Sequence, residues 1–365
     1  MGFATFFSLF FLLLVAQPIN TDKFMNNKTN KKLLWQLPFL ALLIIGSIFI
    51  IKQQRSTPYQ HNEGQVFGTF YHITYQSEQD LQKEIEAELK KVDNSLSTFN
   101  KQSVISKVNN NEPTKLDELF VEVFDKAKAI SKETNGAFDI TVAPLVNVWG
   151  FGFKQGKEPS KQKIDSLKQL VGYEKVSLIG KGIKKTDKRI MLDCSAIAKG
   201  YGSDMVARLF RKYDIKNFMI EIGGEIVASG NSESRVPWKI GVNKPVEDST
   251  NINTEIQTVL NVTNKAMATS GNYRNFYYKG GKRFAHTIDP KTGYPVQHSL
   301  LSATVLTTDC ATADAYATAF MVMGIEEAKK VLENHKELMA YFIYADSQGK
   351  LQVWYSPELE KKIVQ

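Results

Sequence analysis

The chain has 365 residues, 43 % hydrophobic and 11 % aromatic, with a formal charge of +8 at neutral pH. That is enough apolar material for a large core and excludes disordered and fibrous classes, while two cysteines with neither CxxC nor Cys/His spacing exclude a disulfide framework and a cysteine-based metal centre. The charge does not point to nucleic acid, because residues 1–52 hold five lysines against Asp22 and the later lysines are interspersed with acids, the pattern of a solvated surface.

In chain order, Phe3–Ala16 is a first apolar run without a basic leader. Leu33–Ile51 is a second, 19 residues without charge bracketed by Lys31, Lys32 and Lys52. It is long enough to span a bilayer, a buried core helix being the alternative reading. The lysine cluster between the two runs stays cytoplasmic under the positive-inside rule, which leaves everything after Lys52 outside. The expected organisation is therefore an N-terminal region at 1–52 with an uncleaved signal anchor at about 33–51, a polar tether at 53–64 and a folded domain at 65–365. No small-x-small cleavage pattern and no lipidation cysteine follows the apolar run. Met25, just ahead of Lys28, Lys31 and Lys32, is a second candidate start.

Val66–Tyr75 alternates and reads as a strand interrupted at Gly68. Leu81, Ile85, Leu89, Val92 and Leu96 recur at helical spacing, and a second amphipathic helix covers about Leu116–Ser131, stopped at Gly136. The run Gly136–Gly152, with Phe138, Asp139, Thr141, Trp149 and Phe151, reads as an aromatic core strand and loop or as a wall for a flat aromatic ligand. Short strands are expected at 175–179, 189–193, 217–222, 225–229, 238–243 and 256–262, with a helix after Asp193. An Ala-rich helix from about Cys310, an amphipathic helix from Ile325 and a hairpin at 339–345 and 350–356 complete the chain. Helices and strands do not alternate strictly, which favours α+β over a doubly wound sheet.

P-loop, GxGxxG, HExxH and GxSxG motifs are all missing, and the five histidines lack metal-ligand spacing. Other clusters remain. Asp193–Gly200 (DCSAIAKG) reads as a helix start whose free amides favour anions, with Lys199 one turn on; Asp193 as a plain N-cap is the alternative. Adjacent glycines in Glu221–Glu225 mark a hairpin turn or a close backbone approach to a ligand. His286 follows the ATSGNY segment Ala268–Tyr273 and opens the turn-rich stretch to Gly293, surroundings that suit a working histidine. Asp314 and Thr318 lie four apart on a helix, giving one face two oxygen donors of the kind Mg²⁺ accepts; an acid in a first helical turn is also commonplace.

In this order, GAFDIT, DCSAIAKGY, EIGGE, TSGNY, HTIDPKTGYP and TADAYAT closely resemble the ApbE family, the FAD:protein FMN transferases once described as thiamine-biosynthesis lipoproteins. The resemblance extends from about Phe67 to Gly324. It implies a T-fold-like α+β catalytic domain behind the N-terminal membrane anchor, with FAD as substrate and Mg²⁺ as cofactor. The implied reaction attaches FMN from FAD to a threonine or serine hydroxyl of an acceptor protein and releases AMP. By motif position, the Ala196 carbonyl, Asp314 and Thr318 would hold the metal. Phe67, Ala137, Phe138, Asp139, Asp193, Lys199 and His286 would line the FAD site. Phe67 stands where the family usually has the methionine of a Met-Gly-Thr signature, so the flavin contact there differs. His286 is the candidate base for the acceptor hydroxyl, with Asp314 as the other catalytic candidate. The implied acceptors are membrane redox subunits of Na⁺-translocating NADH:quinone reductase or Rnf-type complexes, which places the domain on the periplasmic side of a bacterial inner membrane. The same ligand set would serve an FAD pyrophosphatase or a non-catalytic flavin-binding protein, the two alternatives.

Overall fold

The structure, a computed structural model, describes residues 38–48, 57–151, 159–245, 255–272, 276–279 and 282–364, with backbone only at 276–279 and 282–284. It divides into two units, Met1–Thr57 and Pro58–Gln365. In the first, a helix covers residues 38–48; among the described residues no helix is long and apolar enough to cross a membrane. The remainder of the expected anchor lies outside the described residues.

The second unit is built on an eight-stranded antiparallel sheet in the order β1-β2-β5-β6-β9-β12-β13-β14. Its strands are β1 (Tyr59–Val66), β2 (Thr69–Gln76), β5 (Phe218–Ile222), β6 (Glu225–Ser229), β9 (Lys265–Gly271), β12 (Leu300–Thr307), β13 (Met339–Ala345) and β14 (Leu351–Tyr355). Three two-stranded ribbons pair β3 (Val176–Ile179) with β4 (Gly182–Lys185), β7 (Lys239–Asn243) with β8 (Ile256–Asn261), and β10 (Phe276–Lys279) with β11 (Lys282–Ala285). The helices are α1 (Gln82–Leu96), α2 (Val104–Asn109), α3 (Glu118–Glu133), α4 (Ala143–Trp149), α5 (Lys161–Lys168), α6 (Ser195–Lys212), α7 (Cys310–Asn334) and α8 (Pro357–Glu360). The mixed, non-alternating order is the α+β class expected from the sequence.

The period of two along β6 separates the layers. Val227 packs with Val206 and Phe210 of α6, whereas Ile226 and Ala228 join Trp238, Ile240 and Leu260 of the β7–β8 side. Helices α6 and α7 therefore cover one face of the sheet and the β7–β8 ribbon covers the other. At the α6–α7 crossing, Gly200 lies directly on the backbone of Cys310 and Ala311. The start of α7 is tied down by carboxylates: Asp309 accepts from Thr312 N, and Asp204 of α6 accepts from Cys310 N at 2.8 Å and Ala311 N at 2.9 Å.

Four local expectations are corrected. The segment around Gly68 is two strands, because Phe67 (φ 51°) and Gly68 (φ 75°) are both left-handed and form a two-residue turn between Val66 and Thr69. Residues 59–64, expected in the tether, pair along β2, so the compact unit begins at Pro58. The strand expected at 189–193 does not form: the side chain of Asn109 donates to Leu192 O and accepts from Leu192 N, replacing a ladder neighbour. Within Gly136–Gly152, residues 143–149 are helical rather than a strand, opened by Pro144 and closed by left-handed Gly150, while Gly152 lies outside the described residues. The two helices expected from Cys310 and Ile325 adjoin within α7 at Gly324, whose φ of 76° and ψ of 173° break the helical path.

Candidate active site

A cavity of about 560 Å³ opens beside the α6–α7 crossing, within the range of small-molecule sites. Its walls come from the 137–140 loop, the segment before α6, the β5–β6 turn, β7, β9, the 286–290 loop and α7. Ala137, Phe138, Asp139, Asp193, Ala196, Lys199, His286, Asp314 and Thr318 all line it, although they span most of the domain's sequence. Phe67 does not. Its ring packs on α6, where a Cβ on Gly202 would meet Phe67 Cε2 at 2.7 Å, so this residue belongs to the core and not to the cavity wall.

On the loop side, Asp139 braces the wall. Its Oδ1 accepts from Thr141 N (2.8 Å) and Thr141 Oγ1 (2.7 Å), and its Oδ2 accepts from Tyr173 N (2.7 Å). Burial pushes its carboxyl up, against the pull of these bonds. With both oxygens engaged, Asp139 shapes the site through the backbone it holds. Asp193 Oδ1 accepts from Ser195 N at 2.8 Å and so fixes the entry into α6. Opposite, His286 sits at the start of a loop closed by the Ile288–Pro295 bridge and the Gly293 N to Asp289 O bond. The Phe151 ring stands edge-on to its imidazole, 6.5 Å between centroids. Asn272 of the ATSGNY segment accepts from Thr287 Oγ1, whereas Tyr273 lies outside the described residues.

The charged floor is built by α6, β6 and α7. Lys199 Nζ meets Glu225 Oε1 at 2.5 Å, with the glutamate side chain 3 % exposed. Asp314, buried, accepts from Gly200 N at 3.1 Å. In a regular helix that amide would serve the Ala196 carbonyl. Ala196 also leaves helical geometry (φ −91°, ψ 16°), which turns its carbonyl into a candidate ligand. Burial raises the carboxyls of both Glu225 and Asp314, and Lys199 opposes it. Burial alone would lower Lys199, but Glu225 and Asp314 together hold its ammonium above the ordinary range. Among the described residues no group of three or more His, Cys, Asp or Glu is placed to share a metal ion. The donor set here is of another kind: one buried carboxylate, the half-buried Thr318 hydroxyl one turn away and a carbonyl released from the helix pattern, all hard oxygens that suit Mg²⁺.

Among the cavity residues that sequence reasoning passed over are Glu225, Asn109 and Phe99. Glu225 was within reach as the acid closing EIGGE, where the left-handed glycines 223 and 224 (φ 61° and 100°) turn the chain sharply back into β6. Asn109 and Phe99, the latter 75 % exposed, carry no local signal of their own.

An antiparallel sheet covered on both faces, with an ammonium and two buried carboxylates gathered at a broken helix start beside a cavity, has the make-up of an enzyme site. The ApbE family model matches residues 67–342. The FAD:protein FMN transferase of Haemophilus influenzae is 37 % identical over 313 residues, covering 81 % of this chain and 89 % of that protein. That of Escherichia coli K12 is 31 % identical over 346 residues, covering 89 % and 97 %. Among solved structures, the flavin transferase ApbE from Vibrio cholerae superposes with a TM-score of 0.75 at 33 % identity, covering 84 % of this chain and 99 % of that one. The chain belongs to the ApbE family and is a transferase.

Proposed function

We propose that this protein transfers the FMN half of FAD to a threonine or serine hydroxyl of an acceptor protein and releases AMP, in a Mg²⁺-dependent reaction. The observation that carries the reading is convergence: Ala196 and Lys199 of α6, Asp314 and Thr318 of α7, and His286 of a loop line one cavity. Asp314, Thr318 and the Ala196 carbonyl would hold Mg²⁺, which when bound neutralises diphosphate charge and favours departure of AMP. Lys199, while paired with Glu225, adds positive charge to the floor facing the phosphate oxygens. His286 accepts the proton of the acceptor hydroxyl as its oxygen bonds to the FMN-side phosphorus and the bond from that phosphorus to the AMP oxygen breaks. The walls around Phe138 and Phe151 hold the apolar part of the ligand and restrict water.

The apolar run 33–51 is proposed to anchor the chain in a bacterial inner membrane with the domain on the periplasmic side, where membrane redox subunits of the Na⁺-translocating NADH:quinone reductase or Rnf type are suitable acceptors. The test is to incubate the protein with FAD and Mg²⁺, with and without such an acceptor domain, and to follow AMP and acceptor mass. Acceptor-dependent AMP release with an FMN-sized mass gain, abolished by EDTA, is expected. AMP with free FMN only would identify a pyrophosphatase, and FAD binding without AMP a flavin-binding protein.

A further inference from the structure

Three charged groups are packed under the cavity floor, and their pairing is uneven. Lys199 makes its ion pair with Glu225 and not with Asp314, although the Asp314 carboxylate is bonded to the amide of the very next residue, Gly200. Lys199 and Asp314 are near enough to act on each other electrostatically. Glu225 stands on the helix-facing side of β6, and its second oxygen, Oε2, is buried without a hydrogen-bond partner. A buried carboxylate with one satisfied oxygen is an expensive way to hold two elements together, because desolvation offsets most of the attraction. Nor is it needed to join β6 to α6, which Ser203 Oγ already does by donating to Glu225 O at 3.0 Å.

What the pair does achieve is to occupy the ammonium. With all three groups ionised, Asp314 keeps its charge for a cation and the triad carries one net negative charge, which one divalent ion overcompensates. Were Glu225 neutral, Asp314 would be the only buried carboxylate of the triad left for Lys199, and that pairing would compete directly with the metal. Resting on the Mg²⁺ reading of the preceding section, we propose that Glu225 sets the divalent-cation affinity of the Asp314–Thr318 site without ligating the ion, by holding the Lys199 ammonium off Asp314. Glu225 is thus a positioning residue acting through Lys199.

The test is direct Mn²⁺ binding to the full chain, read from the electron paramagnetic resonance signal of free Mn²⁺, with no turnover involved. Glu225→Gln should weaken binding by about tenfold or more, a change of roughly 1.4 kcal/mol. Glu225→Asp, which keeps the charge, should stay near wild type. Lys199→Met should bind at least as tightly as wild type, and adding it to Glu225→Gln should restore most of the lost affinity, a sign reversal that loss of packing would not produce. Wild-type affinity in Glu225→Gln, or a double variant as weak as that single one, would overturn the proposal while leaving the metal site intact. A wild-type protein that retains no Mn²⁺ would overturn the metal reading as well. Should Glu225→Gln not fold, Lys199→Met decides alone, since weaker binding there contradicts a competing ammonium.

Discussion

Gly200→Ala separates two opposing effects at the α6–α7 crossing. By helix propensity alone the substitution should help, because glycine inside a helix costs about 0.5–1 kcal/mol relative to alanine. The packing says the reverse. A Cβ at position 200 would lie 2.6 Å from Cys310 C and 2.9 Å from Ala311 N, with Cys310 O nearer still, and all three are backbone atoms that no rotamer change can move. The helices would have to separate by roughly 1 Å, an overpacking cost of about 1–3 kcal/mol. The movement also stretches the Gly200 N to Asp314 bond, a hydrogen bond to a charged group that contributes about 1.5–3 kcal/mol. Net destabilisation should be about 3 kcal/mol, seen in urea denaturation as a lower midpoint with an unchanged slope. Activity should fall further than stability, because Asp314 and Thr318 move with α7. A Gly200→Ala protein as stable as wild type, or more so, would refute the crossing as described.

Asp314→Ala should abolish Mg²⁺-dependent transfer, with losses of about a thousandfold or more, while FAD is still bound; near-normal rates in an AMP-release assay would remove Asp314 from the metal set. His286→Gln should retain FAD binding, measured by flavin fluorescence, and lower transfer by about 10²–10⁴-fold; full transfer would dismiss His286 as the base. Asp204 tests linkage. Burial raises its carboxyl to about 7, with Asp309 adding to the rise and the amides of Cys310 and Ala311 and the Lys126 ammonium opposing it. An acid raised in the folded state stabilises below its unfolded pKa, and that contribution is lost as pH rises toward 7. Asp204→Asn cannot titrate, so its stability relative to wild type should improve by about 3 kcal/mol between pH 5 and pH 8, where a constant difference would contradict the raised carboxyl.

What the sequence made legible follows from what is local. Strands β5 and β6 and helices α1 and α3 fall close to where the residue pattern predicts, because the apolar residues that each buries recur within the element itself. Spacing on one helix was enough to pair Asp314 with Thr318, but only the family motifs linked them to Asp193 and His286, since nothing local at those residues announces that they line the same cavity. Leu192 illustrates the limit: it and Ile190, two residues earlier, are buried as a strand would bury them, but its backbone partner is a side chain 83 residues away. Phe67 shows the same limit from the other side, an aromatic residue at a left-handed turn position whose ring is absorbed by Gly202. Glu225 escaped notice because its meaning depends on Lys199 across the α6–β6 contact.

The order of strands in the sheet has a consequence for the chain as it is synthesised. β6 lies between β5, which precedes it, and β9, and β9 waits in turn for β12 and the helix that follows. The groups of the floor are therefore separated by more than a hundred residues in Asp314 and Gly200 and are united only near the end of translation. A nascent chain stopped before α7 possesses Lys199 and Glu225 but neither Asp314 nor Thr318. The cavity floor is therefore completed late in synthesis, and non-local pairings of this kind form slowly.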